Sequence, residues 1–219
     1  MSGRWVTFDC FGTLVDWHTG FAGILAPVGR DRTGQLVDAY HRLEPILQSE
    51  KPHKSYKDVL VEGVRRASEE VGVPVSESDA RALPALWGTM PLFTDVEPML
   101  AALRARNYQL GVLTNCDEDL FAQTCSSFKE PFDMVVTAER VRDYKPSLAH
   151  FQAFATLTGV HLRDWTHVAC SWFHDVVPAR TVGIRCVWLD RDRTGEDARM
   201  ASVRVESAAQ VCGEVAGTA

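Results

Sequence analysis

The chain of 219 residues contains no uninterrupted apolar run near the ~20 residues that a membrane-spanning helix requires. A helical membrane protein is therefore not expected. No basic stretch followed by an apolar one precedes the first strand-like segment, so the sequence predicts a cytoplasmic protein. There is no C-x-x-C pair among the six cysteines, Cys10, Cys116, Cys125, Cys170, Cys186 and Cys212, and their scatter suits reduced thiols better than a disulfide framework or a zinc site. An excess of positive charge is lacking too: the net charge of −6 argues against nucleic-acid backbones and anionic membranes as partners. Internal repeats and low-complexity segments are absent, and only the small-residue tail beyond Val215 is expected to be disordered.

What is there suits a sizeable core. Hydrophobic residues make up 46% of the chain and charged residues 24%, the balance of a globular protein and not of a disordered one. The length fits one domain of ordinary size, or a core domain with a smaller one inserted. Near the start, Val6-Thr7-Phe8 leads into Asp9-Cys10-Phe11-Gly12-Thr13-Leu14. A strand of β-branched and aromatic residues places Asp9 at its C-terminal end, and Gly12 permits a sharp turn whose backbone N–H groups face an anion. That setting suits a nucleophilic carboxylate. A second acid is missing two residues on, where Phe11 stands.

After Leu14 the strand pattern stops. Leu36, Ala39, Tyr40, Leu43 and Leu47 recur at helical spacing, as do Val59, Leu60, Val64 and Ala67, and Ser76 to Asp79 offer N-cap chemistry for a helix ending near Trp87 and Gly88. From Pro91 onward strand and helix alternate. Gln109–Thr114, Phe132–Val136, His167–Cys170 and Ile184–Leu189 read as strands, separated by helical segments over Val96–Arg106, Leu120–Cys125, Leu148–Leu157 and Val176–Thr181. Alternation of this kind predicts a parallel sheet covered on both faces, with ligands bound beyond the C-terminal ends of the strands. Asp9 and Cys10, Thr114 to Cys116, and Cys170 and Ser171 occupy those ends, so they are expected to converge.

Asp9-Cys10-Phe11-Gly12-Thr13, Thr114-Asn115, Lys145-Pro146 and Ser171-Trp172-Phe173-His174-Asp175 together resemble, in order, the four motifs of the haloacid dehalogenase superfamily. The resemblance spans nearly the whole chain. It implies an α/β fold, with a Rossmann-like doubly wound catalytic core over residues 1–15 and 91–219 and an α-helical cap over 16–90. By the same resemblance, Asp9 forms a covalent aspartyl intermediate, which splits one difficult displacement into two easier ones. Lys145 holds that carboxylate ionised. Thr114, Asn115 and Ser171 face substrate or leaving group, Thr13 donates to Asp9 or caps the turn, and Asp175, linked to Lys145, activates the hydrolytic water.

Magnesium-dependent phosphatases of the superfamily place a second acid two residues after the nucleophile and another in the fourth motif. This chain has Phe11 and Cys170 at those positions. A cysteine sulfur is a poor ligand for magnesium, so no metal and no cofactor is expected. The pattern instead resembles the 2-haloacid dehalogenase branch, in which an aromatic residue replaces the second acid. Asp9 would displace halide from the α-carbon of a small carboxylic acid in a pocket narrowed by Phe11, and water would hydrolyse the ester. The fourth motif departs from that branch, and Ser171-x-x-His174-Asp175-x-x-Pro178-Ala179, with Trp17 after Asp16, resembles relatives that include azetidine-2-carboxylate hydrolase. There a ring nitrogen replaces halide as leaving group. A phosphatase with an atypical metal site and a ligand-binding member without turnover are the remaining readings.

His174 reads as a proton carrier or as a capping and packing residue. Cys10, Cys116 and Cys170 lie at strand ends, where small buried fillers are the commoner use of cysteine. In the helical segment, Arg42 is the nearest candidate to hold the halide or carboxylate; its other reading is an ion pair with Glu44 or a neighbouring acid on a solvated face. Helical caps of the family can form dimer contacts, so a homodimer is an allowed assembly.

Overall fold

In a computed structural model, which describes residues 3–216, the chain forms six strands: β1 (Trp5–Phe8), β2 (Gln109–Thr114), β3 (Met134–Thr137), β4 (Trp165–Ala169), β5 (Arg185–Leu189) and β6 (Val203–Val205). They make one sheet of order β3-β2-β1-β4-β5-β6, parallel at every pairing. The expected disorder beyond Val215 falls almost wholly on residues outside those described. No helix among the described residues is long and apolar enough to cross a membrane.

The chain divides into two compact units. The first comprises Met1–Val15, Leu92–Asn115 and Phe128–Ala219, and it holds the sheet. Strand residues alternate between two apolar clusters, as the twofold pleat requires. Val6, Phe8, Val168, Val187 and Leu189 pack with residues of helices Val96–Ala105 and Ala208–Ala216. Trp5, Trp165, Cys186 and Trp188, on the opposite face, pack with Phe151 and Phe154 of helix Ala149–Thr158 and Ala179 of helix Val177–Val182. Both faces are covered, so the sheet is doubly wound, and β1 and β4 are buried along their whole length. Each buried apolar side chain contributes about 1.5–3 kcal/mol.

The second unit comprises Asp16–Pro91 and Cys116–Ser127 and is helical. Helix Trp17–Gly29 starts at Asp16, whose carboxylate accepts from the Thr19 N–H; helix Tyr56–Val71 starts at Ser55 and ends at Gly72, φ +70°. Helices Thr33–Ser49 and Tyr56–Val71 approach closely because Gly63 has no side chain: a Cβ there would lie 2.6 Å from the Tyr40 ring. The Ser76–Asp79 capping box forms as predicted, but the helix it opens breaks into short turns, Glu77–Ala80 and Ala82–Ala85. Helix Glu118–Cys125 differs from expectation more, since residues 116–127 group with this unit and not with the rest of 91–219. The cause is Asp117. Its two carboxylate oxygens accept the Tyr56 and Lys57 backbone N–H groups at 2.8 and 2.9 Å, capping helix Tyr56–Val71, and Asp119 pairs with the Lys57 ammonium.

Candidate active site

The first unit brings four of the expected residues into one buried cluster. Asp9 continues the β1 ladder through its N–H to Val168 O, 3.1 Å, and so stands where β1 ends. The chain then reverses over Gly12, φ +93°, with Leu14 and Val15 N–H groups returning to Cys10 O. A side chain would strain at that φ. The Gly12 N–H donates to Val15 O at 2.8 Å and is spent within the turn.

Lys145 is the centre of the cluster. Its side chain is 1% exposed, and its ammonium donates to Asp9 Oδ1 at 2.9 Å, Asp175 Oδ1 at 2.6 Å and Leu113 O at 2.9 Å. An ammonium has three hydrogens, and all three are used. Thr13 Oγ1 donates to Asp9 Oδ2 at 3.0 Å while accepting the Cys170 N–H at 2.9 Å, so it joins Asp9 to the end of β4. Arg191 in turn donates to Thr13 O and forms a bidentate pair with Asp95. Asp9 retains 10% side-chain exposure, against 1% for Asp175.

One lysine between two carboxylates leaves the cluster short of positive charge. Burial pushes the Asp9 carboxyl above its ordinary range; the Lys145 ammonium pulls it back, and the Asp175 charge adds to the rise. Burial also opposes ionisation of Asp175, but Lys145 and a hydrogen bond from His167 outweigh it and hold that carboxyl at about 2. Lys145 is held above the ordinary lysine range, burial being outweighed by Asp175 and Asp9. Asp175 Oδ2 is buried and has no hydrogen-bond partner among the described residues.

The other expected site residues fall differently. Asn115 spends its amide on the main chain of Lys145, Nδ2 donating to Lys145 O at 3.1 Å and Oδ1 accepting Lys145 N–H at 2.7 Å. Through these two bonds it holds the lysine's main chain in place. Ser171 Oγ accepts the His174 N–H at 3.1 Å and bonds to His174 Nδ1 at 3.0 Å, capping the turn Trp172–Val176 that carries Asp175 inward. Ser171 thus holds the His174 main chain and ring together, and burial lowers the imidazole pKa. Thr114 is buried at the end of β2, its carbonyl accepting from His150 Nε2, and Phe11 is half-buried beside the turn. Arg42 lies in the helical unit, exposed and paired with Glu70. Of its two readings the ion pair is the one its side chain makes, with Glu70 as the acid in place of Glu44.

A magnesium ion does not suit these residues. Among the described residues no three His, Cys, Asp or Glu side chains converge to hold a metal ion. At the place of the fourth-motif acid stands Cys170, whose thiol burial pushes far up, so that it offers a neutral sulfur where a hard cation needs an anionic oxygen.

His167 and Leu113 O were missed from sequence. His167 lies in an apolar strand run and is fully buried, yet its Nε2 meets Asp175 Oδ1 at 3.1 Å. The available signal was a histidine inside a strand buried on both faces, where a polar group needs a partner.

Residues 84–189 match the family described as haloacid dehalogenase-like hydrolase, a span that includes Lys145 and Asp175. The crystal structure of an L-2-haloacid dehalogenase superposes with a TM-score of 0.89 at 21% identity, covering 99% of this chain and 100% of that one. Over residues 84–189 the chain resembles that family, and over nearly its whole length it shares the fold of the dehalogenase. A second solved structure, the L-2-haloacid dehalogenase of Xanthobacter autotrophicus with chloropropionic acid covalently bound, gives a TM-score of 0.80 at 17% identity, covering 99% and 100%. At these identities the two likenesses are of fold. A phosphoserine phosphatase of Thermus thermophilus is 31% identical over 109 residues, 49% of this chain and 44% of that protein. The match therefore spans less than half the length of this curated relative.

Proposed function

We propose that the protein is a metal-independent hydrolase in which Asp9 displaces a leaving group, halide first among candidates, from the α-carbon of a small carboxylic acid. The observation that carries this reading is the Lys145 ammonium, saturated by Asp9, Asp175 and Leu113 O. It orients the nucleophile and offsets part of its charge but has no hydrogen left to give a phosphoryl group, and the donors around it do not suit magnesium. An anionic nucleophile meets less resistance at an α-carbon than at an unneutralised phosphate. In the first step an Asp9 oxygen bonds to the α-carbon and halide departs with the electron pair. In the second, water adds to the Asp9 carboxyl carbon, the ester breaks between that carbon and the oxygen already joined to substrate, and the 2-hydroxy acid leaves with one proton while another passes to solvent. Asp175 Oδ2, buried and unpartnered, is the acceptor suited to hold that water. All of these side chains belong to the first unit, to which catalysis is assigned.

A specific observation favours a second reading. His174, half-buried next to Asp175 in the chain and held by Ser171, is a side chain able to give a leaving ring nitrogen its proton, as in ring opening of azetidine-2-carboxylate. Turnover of 2-chloropropionate, azetidine-2-carboxylate and a phosphate monoester, each with magnesium and with chelator, separates the readings. Chloride release insensitive to chelator is expected, and in heavy-oxygen water the label is expected in the Asp9 peptide. Phosphatase activity abolished by chelator, or an unlabelled peptide after turnover, would refute the proposal.

A further inference from the structure

We infer that His167 is a positioning residue that fixes the Asp175 carboxylate for the ester-hydrolysis step, an inference that rests on the function proposed above. His167 pairs in register with Thr7 across β1 and β4, and Trp165 lies two residues before it on the same face. The three side chains form a hydrogen-bonded line: Trp165 Nε1 to Thr7 Oγ1, 2.7 Å; Thr7 Oγ1 to His167 Nδ1, 2.9 Å; His167 Nε2 to Asp175 Oδ1, 3.1 Å. Chemistry sets its direction. An indole nitrogen only donates, so Thr7 Oγ1 receives from Trp165 and is free to give its own hydrogen to Nδ1. Nε2 then carries a proton, aimed at Asp175.

Asp175 Oδ1 consequently receives two donors, Lys145 and His167, while Oδ2 receives none. One donor leaves a carboxylate free to turn about it. Two donors on the same oxygen, one of them rooted in β4, fix the carboxylate plane and with it the direction of the free Oδ2 lone pairs. His167 cannot yield, because its ring is fully buried and packed edge-on against Phe151 at 5.1 Å. The Asp9 displacement needs Lys145 and not this line. Its loss is therefore expected to slow hydrolysis of the ester and to spare its formation.

The test compares the full-length protein with His167→Leu and His167→Gln, the latter retaining an N–H near the place of Nε2. With 2-chloropropionate as probe, His167→Leu is expected to release its first equivalent of chloride at the wild-type rate. Steady-state release should then fall about 10- to 100-fold, the scale of a small misplacement of a reacting group, and the intact protein should gain the mass of the ester at Asp9. His167→Gln should regain at least part of the steady-state rate. Thr7→Val, which removes the hydroxyl that fixes the tautomer, is expected to accumulate the ester as well and decides the matter if the Leu variant does not fold. Ester formation and hydrolysis slowed alike, or no accumulation in any folded variant, would overturn the inference while the dehalogenase reading stands. A wild-type protein that releases no chloride would refute both, and that result differs from either of the others.

Discussion

Lys145 is a buried cation shared by two carboxylates, and its removal separates attraction from desolvation at a single residue. Breaking a buried pair from one side leaves an uncompensated charge, at a cost of about 3–5 kcal/mol. For Lys145→Met this cost depends on pH with a definite sign. Without the ammonium both Asp9 and Asp175 are drawn toward protonation, so at low pH they neutralise and the penalty shrinks. Urea unfolding at pH 8 and pH 5 is expected to show the larger loss of stability at pH 8; equal losses would mean that the lysine acts by packing alone. The residues of this cluster divide by how far the sequence shows them. Asp9, Thr13, Lys145 and Asp175 were legible because each sits in a short local pattern with a glycine, a proline or a strand end beside it. The bonds that Asn115 makes were not legible, since their partner is a main chain thirty positions away that no spacing rule connects.

Between elements, the packing of helices Thr33–Ser49 and Tyr56–Val71 encloses an acid. Glu44 Oε1 accepts from Tyr56 Oη at 2.5 Å and from Gln48 Nε2 at 3.2 Å, and burial, only partly opposed by the tyrosine hydrogen bond, pushes its carboxyl up to about 7 from an ordinary 4.5. Between pH 4.5 and 7 the folded chain holds a proton that the unfolded chain has released. Stability from this group is therefore full below about 4.5 and is lost as pH rises through about 7. Glu44→Gln keeps an acceptor for Tyr56 and does not titrate. Its melting temperature relative to wild type is expected to rise steadily across that window and then level off, whereas a constant offset would show that Glu44 does not hold the proton. Helical spacing revealed these two helices. The partnership of Glu44 with Tyr56 needed the close approach at Gly63, a property of two elements together. The same limit explains helix Glu118–Cys125, grouped by Asp117 capping at a distance, and β6, too short at Val203–Val205 to give a periodic signal.

For the whole molecule, the buried polar groups that the sequence hid also govern how the fold responds to acid. Parallel strands covered on both faces read as apolar runs, and Thr7 and His167 inside them draw no attention although they carry a line of hydrogen bonds across the sheet. His150 is hidden in the same way on helix Ala149–Thr158: fully buried, its Nε2 donates to Thr114 O at 3.1 Å, and burial, with Lys145 nearby, lowers its pKa to about 3 from 6.5. Across pH 6.5 to 3 the unfolded chain binds a proton here that the folded chain refuses, so stability from His150 is present above 6.5 and is lost as pH falls. Asp175 adds a second loss lower down, between its ordinary 3.8 and about 2, as the acid that Lys145 holds ionised is finally neutralised. Glu44 works in the opposite direction over part of the same range, but it belongs to the helical unit and titrates in the variant and the wild type alike. His150→Gln retains an amide to reach Thr114 O and has no proton to gain. At pH 7.5 the variant is expected to be the less stable protein by about 1 kcal/mol, the value of an imperfectly replaced hydrogen bond. Between pH 6.5 and 4 its melting temperature is expected to fall less than that of wild type, closing the gap. Parallel melting curves across that range would assign the acid sensitivity of the fold to other groups.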